Sequence, residues 1–252
     1  MERQQGVPVV VFCMSKTASS AVVRAVREAV AQPVYKIHLL SAERIARQEA
    51  QYRHTDPSAR PRHIFHASHL VRHLPTPEDP WLVVTIVREP VIRSASDFFQ
   101  SGRRHGRLGD EAATLARFER FAIEEGIPRT AEWFDRELAP TLGIDVYDHP
   151  FDPAVGYGTI ETPSVRLLVL RHESLERAPR ALADFLGLAD EVTIAPENVG
   201  AAKDYSDLYA AVRHGARFDD DALDLAYGSR YAQHFYSPAE LDELRVRWGR
   251  RT

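Results

Sequence analysis

Residues 7 to 14, VPVVVFCM, form an unbroken apolar run rich in β-branched side chains, and a stretch this short with no polar alternation predicts a strand buried on both faces. The small polar segment SKTASS follows, and then AVVRAVREAV repeats its apolar residues at helical spacing, with Val22, Val23, Val26 and Val30 on one broad face. A doubly buried strand that passes through a short loop into an amphipathic helix is the opening unit of a parallel sheet. It commits the rest of the chain to supplying parallel neighbours and a helical cover.

The remaining sequence supplies them. Val34 to Leu40 reads as a second strand, and Ser41 as the N-cap of a helix running to about Tyr52. The polar stretch 53 to 62, with Pro57 and Pro61, is a loop. His63 to His69 and Trp81 to Arg88 read as further strands. Pro90 stands where the first residue of a helix would be, and Val91 to Gln100 continues it. Glu111 to Glu125 and Thr130 to Leu138 carry helical patterns, Ile144 to Phe151 is strand-like, and Ser164 to Leu170 is another apolar strand. From Leu175 onward the pattern is mainly helical, interrupted by a polar loop from about Pro196 to Asp204.

Strands alternating with helices predict an α/β fold with a mostly parallel sheet, and no repeat or linker divides the 252 residues, so the expectation is a single domain spanning 1–252. With 44% hydrophobic and 27% charged residues the chain has the composition of a globular protein. No apolar stretch reaches the ~20 residues of a membrane span and the N-terminus lacks a secretory pattern, so the expected location is the cytoplasm, without membrane insertion. The single cysteine, Cys13, excludes an internal disulfide framework and a cysteine-clustered zinc site. A net charge of −4 excludes the global basic field of a general nucleic-acid binder, so no nucleic-acid partner is expected, and any anionic ligand must be met locally. Of 32 cationic residues only Lys16, Lys36 and Lys203 are lysine, which singles out each of them.

Two segments carry recognisable chemistry. The first is the loop Ser15-Lys16-Thr17-Ala18-Ser19-Ser20. A helix starting there presents unpaired N–H groups and the positive end of its dipole, to which Lys16 and the hydroxyls add donors, as an anion cradle would require. A capped helix after a buried strand accounts for the same residues. The glycines of GxxxxGK[ST] are absent, so this is not a Walker A motif, and ordinary ATP or GTP hydrolysis loses ground. A lysine ahead of the hydroxyl run can still reach a bridging oxygen on which leaving-group charge develops.

The second segment is Arg88-Glu89-Pro90-Val91 through Ser96. An arginine ending a buried strand and a hydroxyl eight residues later, in the second turn of a helix, can both face the crevice where open α/β sheets bind ligands. The guanidinium fork suits a phosphate. The alternative is that Arg88 pairs with a nearby carboxylate, Glu89 being the adjacent one, while Ser96 is a tolerated helix residue.

In this order and spacing the two segments resemble the sulfotransferases that use 3'-phosphoadenosine 5'-phosphosulfate (PAPS). That family has a loop of the form PKxG[ST][ST] after its first strand and an arginine followed eight residues later by serine. Here Ser15 stands for the proline, Ala18 for the glycine and Glu89 for the aspartate of the RDPV version. The chain is more similar still to bacterial capsular polysaccharide synthesis proteins, a sulfotransferase-like branch, through Trp133-Phe134-Asp135, Phe151-Asp152, Lys203-Asp204-Tyr205-Ser206 and His234-Phe235-Tyr236.

The resemblance implies a three-layer sandwich related to the P-loop kinases and a metal-free transfer of a sulfuryl group from PAPS to a hydroxyl or amine of a glycan or small metabolite. It leaves 3'-phosphoadenosine 5'-phosphate as product. By carry-over, Ser15, Lys16, Thr17, Ala18, Ser19 and Ser20 hold the 5'-phosphosulfate, Arg88 and Ser96 the 3'-phosphate, and Lys203 and Tyr205 belong to a late loop closing over the nucleotide. The acceptor must lose a proton, and a histidine suits that task near neutrality. Glycan sulfotransferases carry one in the segment corresponding to residues 63 to 69, which gives His69 first and His66 second. On a strand the two would face opposite sides. Glu89 is a back-up base.

Other features have plainer readings. Arg103, Arg104, His105 and Arg107 form a basic run best read as solvated surface. Trp133 and Phe134 line an acceptor pocket or pack in the core. Asp219-Asp220-Asp221 precedes an apolar helix and reads as capping rather than as a metal cluster. Two rivals to the sulfotransferase remain at this stage: a nucleotide-dependent phosphotransferase with an aberrant loop, and a non-catalytic member that binds nucleotide or glycan. The acceptor's identity and the oligomeric state leave no mark in the sequence.

Overall fold

The computed structural model describes residues 6–55, 61–104, 108–195 and 205–250. In chain order the elements are β1 (Val9–Phe12), α1 (Ser19–Ala29), β2 (Val34–Ile37), α2 (Ala42–Thr55), α3 (Arg62–Leu70), β3 (Trp81–Val87), α4 (Pro90–Arg104) and α5 (Glu111–Phe121). There follow a π-helical turn (Ala122–Gly126), α6 (Ile127–Ala131), a second π-helical turn (Phe134–Leu138) and α7 (Ala139–Leu142). The remainder comprises β4 (Tyr157–Glu161), β5 (Val165–Arg171), α8 (Ala178–Leu186), α9 (Ser206–Gly215), α10 (Asp220–Tyr227), α11 (Arg230–Phe235) and α12 (Pro238–Trp248).

This is the mixed α/β class that the alternation predicted. A 5-stranded sheet runs in the order β2-β1-β3-β5-β4, with β1, β2, β3 and β5 mutually parallel and β4 antiparallel to β5. Every residue of β1 is buried, as are all of β3 and β5 except Leu82 and Arg166, so the central strands are covered on both faces, as a three-layer sandwich requires. One cover is visible in the cluster of Val9, Val11, Val84, Ile86, Leu168 and Leu170 with Val22, Val23 and Val26 of α1 and Ala181, Leu182 and Phe185 of α8. Each such aliphatic side chain, removed from water, contributes about 1.5–3 kcal/mol. Cys13 lies in the same cluster, fully buried, where packing is its role.

The chain divides into two compact units, Met1–Val87 with Phe134–Ala195, and Arg88–Trp133 with Pro196–Thr252. The first holds the sheet with α1, α2, α3, α7 and α8. The second is helical. No helix among the described residues is long and apolar enough to cross a membrane.

Three expectations are corrected. Residues 63 to 69 form helix α3, not a strand: the buried side chains are Ile64, Ala67 and Leu70, three apart, and Pro61 occupies the N-cap position. Only Ile64 in that segment is β-branched, so local preference offered little resistance to the helix. The strand-like region 144 to 151 holds only a short 3-10 turn, Val146–Asp148, whose start is fixed by the Asp145 carboxylate accepting from the Tyr147 amide at 3.0 Å. The strand is instead β4, an edge strand with a single buried residue, Ile160, and therefore without an apolar signature.

The fourth difference concerns the helical break expected after Glu125. A π-helical turn carries the helix across it into α6, with Pro128 just past the turn, where the local change in hydrogen-bond register accommodates a residue without an N–H.

Candidate functional site

Strands β1 and β2 are parallel with Phe12 paired to Ile37, so the loop after β1 and the residues after β2 lie at the same end of the sheet. Strand β1 has β2 on one side and β3 on the other, which makes its C-terminal end the point where the strand order reverses. Open α/β sheets bind their ligands outside such points.

The loop there is tightly wound. Lys16 and Ala18 both adopt left-handed backbone, at φ 71° and φ 63°, and no other non-glycine residue among those described has a positive φ. Alternating handedness over three residues turns successive N–H groups toward a common centre, the geometry of backbone anion nests. Ala18 is the N-cap of α1, and no side chain caps that helix start. Buried Thr17 donates its hydroxyl to the Met14 carbonyl at 2.9 Å and so closes the loop from within. Ser19 is likewise buried, whereas Ser15, Lys16, Ala18 and Ser20 keep part of their surface.

A second lysine serves the loop. Lys36, in the middle of β2, donates through Nζ to Ser20 Oγ at 2.7 Å. Just beyond the end of the strand, His38 Nδ1 lies 2.7 Å from the Cys13 carbonyl. A carbonyl can only accept, so Nδ1 of His38 carries the proton, and in the neutral ring the lone pair sits on Nε2. The Cys13 thiol beneath is pushed up by burial and stays protonated.

Helix α3 presents its imidazoles to this edge. The His63 ring is 5.3 Å from that of His38, and His66 Nδ1 is 3.3 Å from the Lys36 carbonyl and 3.4 Å from its amide nitrogen. His66 meets Tyr35 edge-on at 5.4 Å, while the exposed His69 ring stacks on Tyr35 at 5.9 Å and lies 5.0 Å from His73. Because the segment is helical, His66 and His69 lie on neighbouring positions of one side rather than on opposite faces. Burial lowers the affinity of His63 and His66 for protons, and the Lys36 charge adds to that at His63. Both are neutral at neutral pH.

In the helical unit, Nη1 of the Arg88 guanidinium lies 3.5 Å from the Ser96 Oγ. The Arg88 backbone is clamped by Tyr231, whose hydroxyl accepts from its N–H at 2.8 Å and donates to its carbonyl at 2.9 Å. Glu89, the adjacent carboxylate, is engaged in its own helix and beyond it. Its buried carboxylate accepts from the Val91 and Ile92 amides at 2.8 and 2.6 Å, capping α4, and from the Tyr227 hydroxyl at 2.7 Å. Burial beside that carboxylate pushes the Tyr227 phenol well above its ordinary range.

Tyr205 is buried with its ring stacked on Phe99 at 5.3 Å, and Lys203 lies outside the described residues. Of the basic run, His105 and Arg107 also lie outside them. Trp133 and Phe134 are buried, and Asp219 caps α10 by accepting from the Ala222 amide at 3.1 Å.

Lys36, His38 and His63 were not picked out as site residues in the sequence. The signals were there: Lys36 is one of three lysines, Lys36 and His38 alternate at the end of a strand, and His63 stands three residues before His66.

Residues 119–237 match the model of the NKWYS family, whose description is "Putative capsular polysaccharide synthesis protein". The matched stretch includes Trp133, Tyr205 and Tyr236; the loop at Lys16 and the Arg88–Ser96 segment lie outside it. No curated protein and no solved structure matches the chain.

Proposed function

We propose that this protein is a PAPS-dependent sulfotransferase acting on a hydroxyl or amine of a glycan or related metabolite. The observation that carries the reading is the loop at the switch point of the sheet, with two left-handed residues, an uncapped helix start and two lysines on one short hydroxyl-bearing segment. Such a donor set fits a doubly anionic phosphosulfate better than a capped helix needs. The pairing of Arg88 with Ser96 supplies donors suited to the second anionic group, the 3'-phosphate. The family match over residues 119–237 supports a glycan as acceptor.

When bound, PAPS supplies the sulfuryl group and 3'-phosphoadenosine 5'-phosphate is its leaving group. Lys16 and the loop amides would hold the bridging oxygen, on which charge grows as the S–O bond breaks. Lys36 fixes Ser20 and adds positive potential at the same place. As the acceptor oxygen bonds to sulfur its proton passes to an imidazole. His66 and His69 are the expected acceptors of that proton, and His63 joins them because its ring, neutral at pH 7, stands beside His38 at the loop.

Transfer of radiolabelled sulfur from PAPS to a panel of bacterial capsular oligosaccharides tests the reading. Labelled product with the native chain, reduced at least a hundredfold in Lys16→Ala, supports it. Magnesium-dependent γ-phosphoryl transfer from ATP in its place identifies a phosphotransferase and overturns it.

A further inference from the structure

An open cleft of 670 Å³ lies in the sheet-bearing unit, lined by Leu40, Ser41 and the first turns of α2 on one side, Val71 and Leu74 after α3, and Arg136, Pro140 and Thr141 on the other. That volume is within the range of small-molecule sites. Its wall begins at Leu40, two residues beyond His38, and two residues of chain span at most about 7 Å, so the cleft opens beside the loop that His38 touches.

Its charge differs from that of the chain as a whole. Three arginines, Arg44, Arg47 and Arg136, line it against the single carboxylate of Glu43, in a protein of net charge −4. Arg44 is anchored from behind. Its guanidinium pairs with the carboxylate of Glu137, whose side chain is 1% exposed and which also accepts from the Leu40 amide at 3.1 Å. Placing a carboxylate there costs stability unless it is fully paired, and its evident service is to hold one guanidinium at the cleft edge. Glu137 and Arg136 are consecutive in the second π-helical turn, which sends one side chain inward and leaves the other at the cleft. Turns of this kind concentrate at functional sites. Arg47 is bound at 2.8 Å only to Glu43, both about four-fifths exposed, a pair of small worth that a ligand carboxylate can replace. Between the arginines the lining is aliphatic, with Val71, Leu74 and Pro140 able to meet the C–H faces of sugar rings.

We infer that this cleft binds an acidic saccharide, its carboxylates held by Arg44, Arg47 and Arg136. Its identification as the acceptor subsite rests on the sulfotransferase reading, but its affinity for uronates does not.

Calorimetric titration of the full chain with trigalacturonate and, in parallel, with neutral cellotriose tests it without nucleotide. The expected result is binding of the uronate alone, weakened about tenfold in Arg47→Ala and again in Arg136→Ala, and declining with added salt. Arg117→Ala, remote in sequence from the cleft, is the control for general charge. Equal binding of both saccharides, no binding, or uronate affinity unchanged in Arg47→Ala/Arg136→Ala overturns the inference. Circular dichroism establishes that each variant is folded. Nucleotide binding is read separately, so uronate binding without affinity for 3'-phosphoadenosine 5'-phosphate leaves the cleft standing while the sulfotransferase falls.

Discussion

Ala18 carries a Cβ at a backbone turn of φ 63°, a conformation that glycine adopts freely and alanine only at a cost of roughly 1 kcal/mol. A glycine occurs at this place in the motif the loop resembles, so the strain is the local cost of keeping the cradle's shape without it. Ala18→Gly relieves the strain while loosening the unfolded chain, and the balance is a change between zero and about 1 kcal/mol of added stability. Ala18→Val, with a branched Cβ, lowers stability by more than about 1 kcal/mol. Urea denaturation midpoints of the two variants check the opposite signs. Glu89 is the sharper case. Removing its carboxylate in Glu89→Ala leaves two α4 amides and the buried Tyr227 hydroxyl without their acceptor, and the expected loss is roughly 2–4 kcal/mol by the same measurement. From sequence Glu89 looked like a base or an ion-pair partner. Its bond to a hydroxyl 138 residues away is one that no local pattern could reveal.

Among the elements, α3 is the one whose type the sequence misled. HIFHASHL offers aromatic and β-branched residues at its start, and the segment became a helix because Ile64, Ala67 and Leu70 can be buried together only at helical spacing. The strands with continuous apolar runs, β1, β3 and β5, were legible because double-sided burial leaves that signature. Edge strand β4 buries one residue and left none. The type of α3 has a consequence in pH. Burial holds His63 and His66 below the usual 6.5 in the folded protein, so the unfolded chain takes up protons first. Stability is therefore unaffected by these groups above pH 6.5 and falls as pH drops below it. Guanidinium denaturation at pH 5.5 and 7.5 is expected to show this loss, diminished in His63→Gln/His66→Gln. If one of them takes the acceptor's proton, kcat/KM also rises with pH through an apparent pKa below 6.5 and is level above it.

At the scale of the whole chain, the sheet end where the strand order reverses is fixed by topology, and the cation-bearing loop stands there because β1 leads into it. The loop and the Arg88–Ser96 pair were readable in advance because each is a local segment with a fixed spacing. Lys36 and His38 left only faint local marks and the arginine-lined cleft none, since they are brought together by strand register and by helices far apart in sequence. The central proposal is affinity for 3'-phosphoadenosine 5'-phosphate, to which the loop at Lys16 and the Arg88–Ser96 pair each contribute. Its most direct test is calorimetric titration of the purified protein with 3'-phosphoadenosine 5'-phosphate and, separately, with magnesium ATP. The account predicts selective binding of the former, weakened at least tenfold in both Lys16→Ala and Arg88→Ala. Preference for magnesium ATP, or affinity for 3'-phosphoadenosine 5'-phosphate that neither substitution alters, would contradict it.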